Sequence, residues 1–294
     1  TSGVNAVIGG KGADQITSGG GQNTVLGDDG HAFFFTNGDL RLIKSLNEGQ
    51  GGDDVIKLND GINSVVAGFG ADQISAGGGR NFVLGDEGRV EVLTDENGAP
   101  TGFTEIRTLN GSVGGEDQIS IGPGYNVAAG GAKSDTIAVD GEAAAARAVV
   151  LGDNGRILMT NDYTLLEIES NDFEAGDSDV ITLTSGVNAV IGGKGADQIT
   201  SGGGQNTVLA DEGRAYFFDN GDVRLIESIH LGNGGDDIVI LNEGINTVVA
   251  GAGNDTATMG GGMNVVLGDE GRVEVLTDEN GAPTGFTEIR TLNG

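Results

Sequence analysis

Glycine recurs every nine residues along most of this chain of 294 residues. The five glycines from Gly52 to Gly88 are nine apart; after each of the first four, an Asp or Asn follows two positions later and an Ile or Val two positions after that. A fixed short period is typical of a solenoid, in which each repeat packs mainly on its neighbours. The same register runs from Gly3 to Gly30 and from Gly235 to Gly271. The repeat therefore predicts one continuous solenoid over residues 1–294 rather than two globular domains.

Each position of the nonapeptide has a physical reason. Glycine allows the positive φ angles of a tight turn, and a β-branched residue favours a short strand. A turn and a short strand make half a coil, so two repeats predict a flattened coil, and stacked coils pair about 4.8 Å apart. We therefore expect an all-β, parallel β-roll of about nine or ten coils, roughly 45 Å long. The aromatic content of 4% fits a thin aliphatic core.

The residues of several repeats resemble a known family. Gly9 to Thr17 and Gly192 to Thr200 read G-G-K-G-A-D-Q-I-T, which resembles the G-G-x-G-x-D-x-U-x nonapeptide of RTX proteins. Ala67 to Ser75 departs from that motif by one glycine. The resemblance implies a parallel β-roll whose turns bind Ca²⁺, in secreted bacterial proteins. Units with Gly-Asp-Asn-Gly before a hairpin are similar to those of giant secreted RTX-like surface proteins.

Asp and Asn alternate between successive repeats, which departs from the family pattern. Because two repeats make one coil, the Asp residues should lie on one edge of the roll and the Asn residues on the other. Calcium prefers carboxylate and carbonyl oxygens, whereas stacked Asn amides form neutral ladders. We therefore predict Ca²⁺ on the Asp edge only. The predicted ligands there are Asp14, Asp54, Asp72, Asp117, Asp135, Asp179, Asp197, Asp237 and Asp255.

A regular interruption separates groups of repeats. The segment Val25 to Gly30 recurs as Val83 to Gly88, and at three later places, each followed by alternating apolar residues around a turn. This pattern predicts β-hairpins after every two coils, at about residues 31–45, 89–109, 156–169, 214–228 and 272–292. The repeat units then span about 1–51, 52–114, 115–176, 177–234 and 235–294.

The interruptions also carry aspartates that we expect at the Asp edge, where they replace the ligand that each interruption removes. These additional predicted calcium ligands are Asp28, Asp86, Asp153, Asp211 and Asp269. Seven of the ten Phe residues lie in the hairpins. Because an isolated hairpin is marginally stable in water, we expect successive hairpins to stack through these rings into a ridge beside the roll.

Charge and motif content exclude several function classes. A net charge of −29 argues against nucleic acid and anionic membranes as partners. No Cys, no H-E-x-x-H and no G-x-S-x-G motif is present, so we predict no enzyme activity. No apolar run reaches about 18 residues, so membrane insertion is not expected.

The pattern favours a calcium-stabilised shaft or spacer in a very long extracellular or cell-surface protein, such as an adhesin or fibre. The alternatives are a metal-independent structural solenoid, a repeat module that binds ice or carbohydrate, and a repeat appendage of an enzyme. Outward positions of mixed character, Lys57, Val66, Ser75 and Leu84, argue against an ice-binding face. Expected partners are neighbouring repeats of the same chain and further copies, joined laterally or end to end at Thr1 and Gly294.

Overall fold

Short β-strands fill most of the chain in this computed structural model, which describes residues 3–46, 49–141 and 146–292. Strands one coil apart pair in parallel with glycine opposite glycine, as Gly3 and Gly21 do. Two parallel sheets run the length of the described chain. The all-β parallel solenoid predicted from the repeat is confirmed. Within the described ranges, no helix is long and apolar enough to cross a membrane.

The first parallel sheet, here called the central sheet, has ten strands within the described residues. They are β1 (Gly3–Ile8), β3 (Gly21–Leu26), β7 (Gly61–Val66), β9 (Gly79–Leu84), β13 (Gly124–Ala129), β15 (Arg147–Leu151), β19 (Gly186–Ile191), β21 (Gly204–Leu209), β25 (Gly244–Val249) and β27 (Gly262–Leu267).

The second parallel sheet, the outer sheet, has nine shorter strands in the part of the chain that the structure describes. They are β2 (Gln15–Ser18), β6 (Val55–Leu58), β8 (Gln73–Ala76), β12 (Gln118–Ile121), β14 (Thr136–Val139), β18 (Val180–Leu183), β20 (Gln198–Ser201), β24 (Ile238–Leu241) and β26 (Thr256–Met259).

The third sheet is antiparallel and is called the hairpin sheet, because it is formed by the segments between the coil groups. Its strands are β4 (Gly30–Phe34), β5 (Leu40–Ser45), β10 (Gly88–Thr94), β11 (Pro100–Thr108), β16 (Gly155–Thr160), β17 (Leu165–Ser170), β22 (Gly213–Phe217), β23 (Val223–Ser228), β28 (Gly271–Thr277) and β29 (Pro283–Thr291).

The antiparallel pairs join edge to edge rather than face to face. In addition to its partner β11, strand β10 pairs with β5 of the preceding pair, with Val90 opposite Ile43. Two coils add two strands to each parallel sheet, and one antiparallel pair adds two strands to the hairpin sheet. All three sheets therefore advance by the same distance per unit, about 9.6 Å at the usual strand spacing.

Two hydrophobic cores lie on opposite faces of the central sheet. Side chains such as Val25 and Ile56 fill the layer between the central and outer sheets. Leu26, Ile43 and Ile157 belong to the layer between the central and hairpin sheets. Alternate residues of one central strand therefore enter different cores, as expected for a strand buried on both faces.

This second core corrects two expectations. Val66 and Leu84 do not face outward, because both are fully buried beneath the hairpin sheet. The Phe rings do not hold the ridge together, since Phe103 is 39% exposed and Phe286 is 71% exposed. Aliphatic side chains make the main contact between the two sheets instead. Thr1 and Gly294, the expected points of end-to-end contact, lie outside the described residues.

Glycine is required where central strands begin. Gly21 has a φ of 117° and Gly79 a φ of 121°, a region that favours glycine. A Cβ at Gly21 would also overlap the carbonyl oxygen of Gly3 in the neighbouring coil. The nine-residue glycine period therefore follows from close stacking of successive turns.

Candidate metal-binding edge

One aspartate immediately precedes each strand of the outer sheet, and these aspartates form a continuous ladder. The backbone N–H of Asp54 donates to Oδ1 of Asp72 at 2.6 Å, and the N–H of Asp72 donates to Oδ1 of Asp117 at 2.7 Å. The ladder joins all nine predicted residues of the Asp edge: Asp14, Asp54, Asp72, Asp117, Asp135, Asp179, Asp197, Asp237 and Asp255.

The second oxygen of these carboxylates is buried and lacks a hydrogen-bond partner. Within the described residues this holds for Oδ2 of Asp54, Asp72, Asp117, Asp135, Asp179, Asp197, Asp237 and Asp255. A buried carboxylate oxygen without a donor is costly, because nothing replaces its lost hydration. The column therefore provides a row of oxygens that require a proton or a cation.

A backbone carbonyl lies beside many of these free oxygens. A Cβ added to Gly85 would overlap Oδ2 of Asp117 and would lie 2.8 Å from the carbonyl oxygen of Gly130. Gly27, Gly130, Gly152 and Gly192 have the same arrangement of an aspartate oxygen and a carbonyl oxygen. Carboxylate and carbonyl oxygens are the ligands that Ca²⁺ prefers, so the residues at this edge fit calcium.

Single carboxylates, rather than clusters, would supply the charge at each turn. Among the described residues, no group of three or more His, Cys, Asp or Glu side chains is arranged to hold a metal ion. A cation at this edge would therefore rely on the Asp ladder together with carbonyl oxygens of adjacent turns.

Burial and mutual repulsion make these carboxylates poor anions without a counter-ion. Loss of hydration, with charged neighbours adding to it, raises the pKa of Asp54 to about 6 and that of Asp72 to about 8. Burial and the charges of Asp117 and Asp179 raise the pKa of Asp135 to about 11. In each case burial is the largest cause, and it disfavours the ionised form.

The aspartates of the interruptions lie at the same edge but have different hydrogen bonds. Oδ1 of Asp86 accepts a bond from the N–H of Gly115 at 3.1 Å, and Oδ2 accepts one from the N–H of Ala132 at 2.5 Å. Asp153 and Asp211 also accept two backbone bonds each. These three side chains therefore fasten the chain where it returns from the hairpin sheet to the coil.

The two outer members of that set differ from the rest. Asp28 accepts a bond from the N–H of Phe69 at 2.6 Å through Oδ2, while its buried Oδ1 has no partner within the described chain. Asp269 is exposed, and its charge helps to raise the pKa of Asp255. Whether Asp28, Asp86, Asp153, Asp211 and Asp269 bind Ca²⁺ stays a prediction, as it does for the ladder.

The opposite edge is neutral and fully bonded along most of its length. Nδ2 of Asn63 donates to Oδ1 of Asn81 at 2.7 Å and to the carbonyl of Asn59 at 3.1 Å. The same amide ladder links Asn5 to Asn126 and Asn188 to Asn264, and it is interrupted where Ala148 replaces Asn. Calcium has no free anionic oxygen to bind on this ladder.

Sequence reasoning missed the glycines that border the free oxygens. Gly27, Gly85 and Gly152 belong to the recurring Leu-Gly-Asp segment, from which only the aspartate was predicted to be a calcium ligand. In the equivalent position of other coils, Ala67 and Ala210 replace glycine. The restriction of this position to Gly or Ala was the available signal, since a methyl group there approaches the carboxylate.

A comparison with protein families supports the same assignment. Residues 1–33, 58–89, 176–214 and 231–266 match the family described as the RTX calcium-binding nonapeptide repeat. The chain carries RTX-like repeats. Proteins with RTX repeats are generally secreted and bind Ca²⁺ through them, and the repeats are typically structural. No curated protein and no solved structure matches the chain.

Proposed function

We propose that this chain is a calcium-stabilised shaft or spacer of a very long extracellular or cell-surface protein, such as an adhesin or fibre. The observation that carries the proposal is the column of buried Asp Oδ2 atoms without partners. A structural role without enzyme activity fits a site that repeats in almost every coil, because a catalytic centre is needed only once.

Calcium would couple folding of the shaft to export. Without metal, the column must either hold like charges at close spacing or take up protons, and at neutral pH both disfavour the coiled state. Ca²⁺ supplies the missing positive charge at the ladder, so its binding free energy adds to the free energy of folding. The chain would then be poorly folded in a low-calcium cytosol and rigid in a calcium-rich medium.

We also propose that copies of the shaft associate laterally through the exposed face of the outer sheet. Other surfaces of this acidic chain would repel the same surfaces of another copy. The outward face of the outer sheet is almost uncharged, because Lys57 is the one charged side chain among its described outward positions. These positions are Gln15, Thr17, Val55, Lys57, Gln73, Ser75, Gln118, Ser120, Thr136, Ala138, Val180, Thr182, Gln198, Thr200, Ile238, Ile240, Thr256 and Thr258.

Circular dichroism with thermal melting, first in EGTA and then in millimolar Ca²⁺, tests the metal dependence. We expect weak β signal in EGTA and a cooperative melt at higher temperature with Ca²⁺. Mg²⁺ at equal concentration is the control, since it prefers a tighter octahedral site and keeps its waters. An identical spectrum and melting temperature in EGTA and Ca²⁺ would instead support a metal-independent solenoid held by packing and the Asn ladder.

A further inference from the structure

A cavity of about 630 Å³ lies between the central sheet and the hairpin sheet. Its floor is formed by β3, β7 and β9, its roof includes β5, β10 and β11, and residues of the turns after β4 and β16 also line it. This volume is within the range of small-molecule sites, about 300–1,000 Å³. The charge of the cavity differs from that of the Asp ladder, because the cavity lining contains two arginines and only one carboxylate.

The two arginines of the cavity are not neutralised by acidic side chains. Arg41 and Arg80 form no ion pair within the described residues, although Arg89, Arg156 and Arg272 all pair with glutamates. The one lining carboxylate, Asp39, is held in its own turn by the Asn37 amide at 2.6 Å.

Aromatic and polar groups complete the lining. The guanidinium of Arg80 lies 3.7 Å above the ring of Tyr163 and donates to the Tyr163 hydroxyl at 2.8 Å. The ring centroids of Phe82 and Tyr163 lie 6.0 Å apart and Phe82 is only 5% exposed, so the two rings pack on each other and Tyr163 holds Arg80 in place. Asn161, whose Oδ1 accepts a bond from Thr104 at 3.1 Å, adds an oriented amide beside it.

We propose that this cavity binds a sugar that bears a carboxylate. Arginine suits a carboxylate because its planar fork donates paired, charge-assisted hydrogen bonds. The amide and hydroxyl groups of the lining, such as those of Asn161 and Thr36, suit the hydroxyls of a sugar. The chain as a whole has a net charge of −29, so only the vicinity of the two arginines attracts an acidic ligand. Recognition therefore depends on the cavity itself.

The repeat supplies a matched control for Arg80. Arg80 and Arg147 occupy the same register position of the central sheet, on either side of Tyr125. Arg147 lines a recess of only about 20 Å³, which is too small for a sugar. If loss of a positive charge at this register position were enough to weaken ligand binding, Arg80→Gln and Arg147→Gln would weaken it equally.

Ligand-observed NMR on the calcium-loaded chain, with glucuronate, glucose and sulfate as probes, tests the proposal. We expect glucuronate to bind at least about tenfold more tightly than glucose or sulfate, the scale of one charge-assisted bidentate pair. Arg80→Gln should weaken glucuronate binding about tenfold, while Arg147→Gln should leave it within about twofold. Melting temperatures of both variants in Ca²⁺ report whether the fold is retained.

A cavity-filling variant keeps the test independent of arginine removal. Ser64 lies in the cavity floor opposite Phe82, so Ser64→Phe places a ring where the neighbouring strand already has one. We expect this variant to lose glucuronate binding without a lower melting temperature. Absence of glucuronate binding to the wild-type chain, equal binding of glucose or sulfate, or equal weakening by Arg147→Gln would overturn the proposal.

Discussion

Two ladders of nearly identical size give the two edges of the roll opposite electrostatic properties. The Asn ladder uses its donors on the next amide and on a turn carbonyl, whereas each Asp leaves one oxygen free. Two ionised carboxylates one coil apart repel by about 3 kcal/mol at an effective dielectric constant near 20. The Asp edge is therefore unfavourable when ionised and empty, and it becomes favourable with a cation.

Replacement of Asp117 by Asn separates these two states. The amide retains an oxygen for the Asp72 N–H bond but removes a buried charge. We expect Asp117→Asn to raise the free energy of unfolding in EGTA by on the order of 3 kcal/mol. Folding of the wild-type chain must protonate this buried carboxylate, whereas the Asn amide is already neutral. In Ca²⁺ the variant should bind about one ion fewer, as counted by calorimetry.

The neighbouring exposed residue Asp53 is the control for Asp117→Asn. Asp53→Asn removes the same charge at the same edge, but outside the buried ladder. Equal calcium stoichiometry and equal stability in EGTA for the two variants would show that ladder charge does not bind the metal.

The glycine beside each free oxygen predicts a second, steric effect. Gly85→Ala places a methyl group against Oδ2 of Asp117, while Ala67 already occupies the equivalent turn, so the backbone accepts alanine. We expect the fold to be retained and calcium affinity to fall at least about tenfold at that turn, since the methyl group would lie 2.0 Å from Oδ2 and must displace that ligand.

Ala67→Gly is the reciprocal variant and should leave calcium binding equal or stronger. Calcium titrations followed by calorimetry compare both variants with the wild-type chain. A Gly85→Ala chain with unchanged affinity would indicate that the cation does not occupy the space beside Asp117.

The raised pKa values predict an inverted pH dependence for the metal-free chain. Because burial raises the pKa of Asp54 to about 6 and of Asp72 to about 8, the folded state holds protons that the unfolded chain has already released. Stability from this source is complete below about pH 4 and is lost as pH rises to about 8. Melting temperature in EGTA should therefore fall between pH 5 and pH 8, in a series of melts at constant ionic strength.

Calcium reverses this trend because it competes with protons for the ladder. Calorimetric titration at pH 7 in two buffers of different ionisation enthalpy should reveal proton release on binding, and affinity should rise with pH. Binding without proton release would contradict the protonated state of the metal-free ladder.

At the scale of strands, the sequence predicts the solenoid and a ridge of hairpins beside it, but not the second core between the hairpin sheet and the central sheet. The glycine period defines the coil, and alternate apolar residues define which side chains face inward. Val66 and Leu84 were placed outside because the nonapeptide alone gives each coil one interior. Their burial depends on the hairpin sheet, whose position is set by contacts between distant segments such as β5 and β10.

The candidate site was predictable to a similar degree. Spacing placed Asp14 and Asp54 on one edge, and the ladder joins them at 2.7 Å. Spacing does not tell which carboxylate oxygen is used by the backbone, nor that Asp86 accepts two N–H bonds while Asp117 leaves Oδ2 free. Those differences follow from the path of the turns, which a one-dimensional period does not contain.

The second core predicts that the hairpin sheet can be loosened separately from the coils. Ile157 on β16 is fully buried against the central sheet, so Ile157→Ala should lower the free energy of unfolding by about 3 kcal/mol. We expect faster amide hydrogen exchange in β16 and β17 and nearly unchanged exchange in the outer sheet.

Leu158 is the control for Ile157→Ala, because it is the next residue on the same strand and is only half-buried on the opposite face. Leu158→Ala should cost less than about 1 kcal/mol. Equal exchange in both variants, or uniform loss of protection throughout the outer sheet, would contradict a separate hairpin core.

At the scale of the molecule, charge is distributed by layer. The hairpin sheet carries paired charges such as Arg156 with Glu105 at 2.8 Å and with Glu167 at 2.9 Å. Free carboxylates follow the Asp edge, and the outer sheet presents an almost uncharged face. At physiological salt, repulsion between acidic rods is screened beyond about 8 Å and acts mainly at close contact. Two rods therefore repel least when their uncharged faces meet.

Lateral association through the outer sheet is therefore testable by charge placement. We expect the calcium-loaded chain to associate as its concentration rises, and the double variant Gln118→Glu with Thr200→Glu to associate at least about tenfold more weakly, because like charges would face each other across the contact. Thr101→Glu with Thr284→Glu adds the same charge to exposed hairpin positions and should associate as the wild-type chain does. Sedimentation equilibrium measures all three, and unchanged melting temperatures exclude a folding defect. A monomeric wild-type chain at high concentration, or equal weakening by both double variants, would rule out the outer sheet as the contact.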